Sequence, residues 1–297
     1  MATPAQWLEG ARPRTLPAAV SPVLAGTAVA LHLHAAVWWK ALLALVVALA
    51  LQVGVNYAND YSDGIRGTDE DRVGPLRLVG SGAAPATSVR RAAFASFVVA
   101  ALAGLVLAVT TSWWLVAAGV VCIAAAWFYT GGSTPYGYRG LGELMVFVFF
   151  GLVAVMGTTY VQTGTFAAPS ALPSMYAAIG VGALACAILV ANNLRDIPTD
   201  REAGKRTLAV VLGEERTRHL FTFLVAAAAV ALVAVALATS RWALLGSVSA
   251  VAAVPALRAV SAGTTGRGLI PVLQRIGLAE LLYAGGIFAG LAISVGP

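Results

Sequence analysis

WWKALLALVVALALQVGVNYANDYSDGIRG, residues 38–67, decides how this chain is read. No charge falls between Ala41 and Asn59, and such a run suits the roughly 20 residues an α-helix needs to cross a bilayer core about 30 Å thick. The run then delivers Asn56, Asn59, Asp60 and Asp63 to its end. Acids at a membrane boundary are expensive unless paired, hydrated or metal-bound, so by default they mark function.

The whole chain repeats the first half of that pattern. It has 297 residues, 59% hydrophobic and 11% charged, with a mean hydropathy of +0.84. No soluble domain of this length hides so much apolar surface. Apolar stretches near 16–32, 38–58, 89–111, 113–130, 142–161, 172–194, 217–239, 241–258 and 275–295 predict about nine transmembrane helices. With no alternating strand pattern, the expected fold is all-α, a helical bundle in the membrane formed by one domain over residues 1–297. The first stretch lies behind Arg12 and Arg14 as a signal peptide would, but Pro17 and Pro22 interrupt it. Cys122 and Cys186 lie inside apolar spans, where a free cysteine behaves as a small hydrophobe.

Cytoplasmic loops are enriched in Lys and Arg. With nine spans and the N-terminus inside, all of the 19 basic residues except Lys40 and Arg241 fall on the inner side. The expected placement is a multi-pass plasma-membrane protein with a cytoplasmic N-terminus, cytoplasmic polar loops and an outer C-terminus. The net charge of +6 is mostly this bias, and no nucleic-acid partner is implied.

Two inner segments, about 59–88 and 193–216, hold every acidic residue except Glu9, Glu143 and Glu280. Asn59-x3-Asp63 in the first has a counterpart in Asn192-x3-Asp196-x3-Asp200 in the second, four spans later and therefore on the same face. Residues four apart share a helix face, which gives the stripes Asn56–Asp60–Asp63, Asn59–Asp63 and Asn192–Asp196–Asp200. Pro198 predicts that the second helix stops near Asp196. A single acidic loop reads as a solvated face; two on one side, each followed by Arg or Lys, point to one site. Mg²⁺ favours one or two carboxylates plus waters and substrate phosphates. Arg66, Arg72, Arg77, Lys205 and Arg206 stand close enough in sequence to neutralise phosphate charge. A Walker-type glycine loop is missing, which disfavours nucleotide hydrolysis.

A diphosphate at the inner mouth of an apolar bundle suggests a lipid tail for the rest of the substrate. Metal-assisted departure of diphosphate would leave an allylic carbocation, which aromatic faces stabilise. Trp127, Phe128, Tyr129, Phe147, Phe149 and Phe150 lie at suitable depths, although aromatics in membrane helices usually pack or anchor.

NYANDYSDGIRGTDEDRVGPLRLVGSG (56–82) and NNLRDIPTDREAGKRTLAVVLG (192–213) resemble the paired Asp-rich signatures of the UbiA superfamily of intramembrane prenyltransferases, and within it the naphthoate-prenylating branch. ARPRTLPAAVSPVLAG (11–26) and YTGGSTPYGYRGLGE (129–143) fit the same family. The resemblance implies nine helices around a cavity, Mg²⁺ bridging both motifs to a polyprenyl diphosphate, and prenylation of 1,4-dihydroxy-2-naphthoate with loss of its carboxylate, giving demethylmenaquinol for menaquinone biosynthesis. It implies metal ligands among Asn59, Asp60, Asp63, Asp69, Asn192, Asp196 and Asp200, with Asp63, Asp196, Asp200 and Lys205 as the catalytic set. Arg66, Arg72, Arg139 and Lys205 would bind diphosphate, and Arg14, beside Arg12, would meet the acceptor. The superfamily pattern expects an Asp where this chain has Gly67, and Asp69 is the stand-in.

Of the remaining polar groups, His32, His34 and His219 have no partner in the sequence that suggests metal or catalysis, and Glu143 and Glu280 are expected to pair with Arg139 and Arg275. Two other readings remain open. A related enzyme could take hydroxybenzoate or another acceptor, and an ion-coupled transporter could use intramembrane Asp and Asn, though nearer the midplane than here.

Overall fold

The computed structural model describes residues 2–67 and 76–296. After α1 (Pro4–Gly10), a 3₁₀ turn (Pro13–Thr15) leads into α2 (Pro17–His32), α3 (Trp38–Ile65), α4 (Ala86–Thr110) and α5 (Trp114–Phe128). A second 3₁₀ turn, Tyr136–Arg139, precedes α6 (Gly142–Val146), which runs through a π-helical stretch, Phe147–Met156, into α7 (Gly157–Thr163). Then come α8 (Ala168–Glu202), α9 (Leu208–Ala238), a 3₁₀ segment Arg241–Ser249 joined to α10 (Ala250–Ser261), and α11 (Ile270–Ser294). The described residues contain no strand.

All nine apolar stretches are largely helical, as hydropathy predicts. Among the described residues, seven helical units are long and apolar enough to cross a membrane; an eighth comes from the Pro4–Thr15 and Pro17–His32 pair, bent by 48°. The remaining stretch, α5, has 15 residues and reaches about 22 Å at 1.5 Å per residue. Seven spans, or eight with the bent pair, therefore meet the length that nine were expected to meet.

Small residues explain how such helices pack without a hydrophobic driving force between them. The central helix is α8, with 72% of its apolar window buried. Its Ala177, Ala178, Val181 and Leu184 form a core with Ala25, Ala28 and Val29 of α2 and Ala284, Ile287 and Leu291 of α11. A Cβ on Gly151 would lie 2.7 Å from the Ala178 carbonyl oxygen, and one on Gly290 would lie 1.9 Å from that of Trp242. Backbone cannot yield as a side-chain tip can. Gly290→Ala is therefore expected to destabilise the bundle by about 1–3 kcal/mol or more through overpacking, read as a lowered melting temperature in detergent, while Gly285→Ala, with open space at its Cβ, leaves it unmoved.

Leu237, Val230 and Val251 are exposed, as lipid-facing residues should be. Trp38, Trp39, Trp113, Trp114 and Trp242 are also exposed. They begin α3, α5 and the Arg241–Ser249 segment, at the membrane edge opposite the acidic ends of α3 and α8, where an aromatic belt belongs.

The expected acid–base pairs do not form. Glu143 accepts instead from Asn193 Nδ2 at 2.9 Å, and Arg139 is exposed. Glu280 is fully buried, and neither of its oxygens has a hydrogen-bond partner among the described residues. Arg275 stands five residues before it, about 140° away around the helix.

Candidate active site

Helix α8 does not stop near Asp196, as Pro198 suggested; it continues to Glu202. Pro198 lacks the N–H that would reach the Leu194 carbonyl, yet only one more turn follows it, and Thr199 Oγ1 donates to the Asp196 carbonyl oxygen at 3.0 Å. The continuous helix keeps Asn192, Asp196 and Asp200 at four-residue spacing on one face, and all three line one polar chamber of about 240 Å³. Behind them Arg195 donates to both Asp196 oxygens at 2.6 Å and to Asn192 Oδ1 at 2.9 Å.

Helix α3 supplies the opposite wall, and here the structure chooses between two stripes. Asn59 and Asp63 line the chamber. Asp60 faces elsewhere: its Oδ2 accepts from the Leu78 N–H at 2.7 Å and its Oδ1 from the Val79 N–H at 3.0 Å. This carboxylate pins the returning chain and is absent from the chamber wall, so the structure does not bring Asp60 to the other expected ligands. Asn59 Oδ1 accepts from Thr130 Oγ1 at 2.7 Å.

Tyr138 ties the walls together. Its hydroxyl donates to Asp63 Oδ1, its ring lies 4.8 Å below Lys205 Nζ, and its carbonyl accepts from the Arg206 N–H at 2.9 Å. Arg77 Nη2 lies 3.5 Å from Asp63 Oδ2. In the sequence, the one signal for Tyr138 is a phenol within the Gly-rich 131–141 turn.

The basic residues divide. Lys205, Arg77 and Arg12 line the chamber. Arg66 instead donates to the carbonyls of Thr130 and Gly132, and Arg139 and Arg14 are exposed and absent from the chamber wall. Arg12 holds the left-handed backbone at φ 56° where the chain turns after α1, unusual for a residue with a Cβ; its near neighbour Arg14 faces out. Asp69 and Arg72 lie outside the described residues.

No three carboxylates, histidines or cysteines of the described residues form a ready cage. The donor set still suits Mg²⁺: hard oxygens on two facing helices, Asn59 and Asp63 against Asn192, Asp196 and Asp200, with cations for phosphate between. An ion that keeps waters and binds through one or two carboxylates plus phosphate needs no closed cage.

A second cavity of about 330 Å³ adjoins the first, sharing Ala18, Gln52, Asn59, Tyr129, Val146 and Phe150 with it. Its wall is otherwise mostly aliphatic and aromatic. Tyr129, Phe149 and Phe150 reach it; Trp127 packs instead on Tyr61 and Phe94, Phe128 is exposed, and Phe147 packs near Gly182. Burial pushes the Tyr136 hydroxyl up to about 12, so it stays a donor, here to the Ala125 carbonyl at 2.7 Å.

A carboxylate-walled, cation-lined chamber opening onto an apolar cavity defines a membrane-embedded helical protein for amphiphiles with an anionic head. Residues 19–266 match the UbiA prenyltransferase family, and the chain belongs to that family. It is 59% identical to a 1,4-dihydroxy-2-naphthoate octaprenyltransferase of Mycobacterium tuberculosis, covering 98% of each chain. It is 39% identical to the protein of that name from Escherichia coli, covering 95% of this chain and 94% of the other. The fold matches the apo structure of a UbiA homolog from Aeropyrum pernix, with TM-score 0.72 and 16% identity, covering 94% of this chain and 98% of that one. It also matches a UbiA homolog from Archaeoglobus fulgidus bound to DMAPP and Mg²⁺, with TM-score 0.64 and 16% identity, covering 97% of this chain and 99% of that one.

Proposed function

We propose that this single-domain membrane enzyme transfers a polyprenyl group from polyprenyl diphosphate to 1,4-dihydroxy-2-naphthoate, giving demethylmenaquinol, CO₂ and diphosphate, for menaquinone biosynthesis. The carrying observation is the joining of two Asp-bearing helix ends in one chamber that opens onto an apolar cavity. A diphosphate fits the first space and an isoprenoid tail the second. Mg²⁺, when bound, supplies the Lewis acid that helps the diphosphate leave.

Asn59, Asp63, Asn192, Asp196 and Asp200 hold that ion. Lys205 and Arg77 hold the phosphate oxygens, with Tyr138 fixing Asp63 and the Lys205 ammonium relative to each other. The C1–O bond of the prenyl diphosphate breaks with its electron pair leaving on diphosphate, and Tyr129 and Phe150 offer π faces to the allylic cation. The ring carbon bearing the carboxylate attacks; the C–CO₂⁻ bond then breaks and returns its pair to the ring, so no proton is needed. Arg12, rather than Arg14, meets the acceptor carboxylate, since Arg12 lines the chamber. The active-site loops and N-terminus face the cytoplasm, with the C-terminus outside the plasma membrane, because that orientation puts the basic loops inside.

The test is turnover in membranes containing the protein with Mg²⁺, a polyprenyl diphosphate and candidate acceptors. A prenylated, decarboxylated naphthalenediol is expected. Turnover of 4-hydroxybenzoate and none of the naphthoate overturns this acceptor while leaving the family chemistry intact.

A further inference from the structure

Gln52 stands where the polar chamber meets the apolar cavity and lines both. It is 7% exposed, and its Oε1 has no hydrogen-bond partner among the described residues. Leaving a buried acceptor unpaired is costly, so such a group calls for an explanation.

The amide cannot escape by turning over. Its Nε2 donates to Thr15 Oγ1 at 2.9 Å, and Asn56 Nδ2 donates to the same oxygen at 3.0 Å. The Thr15 hydroxyl donates to the Arg12 carbonyl at 2.9 Å, which the Thr15 N–H also reaches at 2.9 Å, so the hydroxyl alone does not fix the amide. Asn56 does, its Nδ2 donating to the Ala11 carbonyl at 2.9 Å so that its Oδ1 faces Gln52 Nε2 at 3.5 Å. Exchanging the nitrogen and oxygen of Gln52 would set its oxygen against Asn56 Oδ1, so Oε1 is held as an acceptor awaiting a donor. Of the groups the reaction brings in, ionised diphosphate and the isoprenoid tail donate nothing. Among the organic groups it brings in, a ring hydroxyl of the aromatic acceptor is the donor.

We propose that Gln52 recognises a ring hydroxyl of the aromatic acceptor at the junction of the two cavities, positioned by Thr15 and Asn56. The assignment rests on the prenyl-transfer reading above. It makes Gln52 a specificity residue for hydroxyarenes, placed beside Arg12, which takes the carboxylate.

The test compares wild type with Gln52→Leu on 1,4-dihydroxy-2-naphthoate and on the two naphthoates that lack one hydroxyl, 1-hydroxy-2-naphthoate and 4-hydroxy-2-naphthoate. Gln52→Leu is expected to raise the KM for the dihydroxy acceptor roughly 10- to 100-fold, the worth of one buried hydrogen bond, with the KM for polyprenyl diphosphate unchanged. For one of the two monohydroxy acceptors the variant and wild type should then agree within a few-fold, because the hydroxyl that Gln52 reads is already gone; taking this ratio cancels the ring's own reactivity. Equal losses on all three acceptors, or no change in acceptor KM, overturn the assignment, the latter being the result if a water satisfies Oε1. Gln52→Met carries the same comparison if Gln52→Leu does not accumulate. Wild type that turns over no dihydroxynaphthoate overturns the functional reading itself, whereas unchanged discrimination in an active enzyme overturns only the role of Gln52.

Discussion

Asp63→Asn and Asp196→Asn are each expected to lower prenyl transfer about 10³-fold or more while the protein stays folded. Each exchange keeps the size of the side chain and removes one charged oxygen ligand, and metal-assisted charge stabilisation is worth several kcal/mol at about 1.4 kcal/mol per tenfold in rate. Asparagine matters as the replacement. Asp196 is buried against Arg195 at 2.6 Å, and truncating one member of a buried pair costs about 3–5 kcal/mol by stranding the other. Asparagine still offers Arg195 one carbonyl oxygen but turns the other oxygen facing it into a donor, so part of the stability is lost at Asp196 and the rate is compared per folded protein, which separates chemistry from folding. Asp60→Asn should cost stability without the loss of rate. It turns one of the two oxygens that accept from Leu78 and Val79 into a donor, so stability falls, while the rate of the folded fraction changes much less. Near-wild-type turnover in both Asp63→Asn and Asp196→Asn would remove the case for a site shared by the two helix ends.

Chelation is expected to have as large an effect. Membranes stripped with EDTA should lose prenyl transfer to background and regain it on addition of Mg²⁺. The described carboxylates form no closed cage, so the ion depends on substrate phosphate for part of its coordination. Polyprenyl diphosphate should accordingly raise the apparent affinity for Mg²⁺, and Mg²⁺ that for the diphosphate, by the same factor. Full activity in EDTA would refute a metal-assisted departure; Mg²⁺ affinity indifferent to the diphosphate would refute a shared site.

Much of this protein is legible in its amino-acid sequence. Apolar runs near the length of a bilayer core gave helices at all nine expected places, because in lipid the backbone must satisfy its own hydrogen bonds. Where length fell short, at α5, hydropathy alone could not show that only 15 residues are helical. The four-residue spacing of Asn192, Asp196 and Asp200 put them on one face, and the structure keeps that face intact through Pro198. The expected pairing of Glu280 with Arg275 failed because charge complementarity was read without the angle between positions on the helix.

Local composition and the 3.6-residue period dictate the solvent, the helices and the set of residues that share each helix face. Tertiary structure alone decided where each face points. Asn59 and Asp63 look into the chamber while Asp60 secures residues 78 and 79; Arg12 enters and Arg14 does not; Tyr138, some 75 residues from Asp63, becomes its partner. A helix's rotation about its axis is fixed by the elements packed against it, here through residues distant in the chain, and no local pattern encodes that.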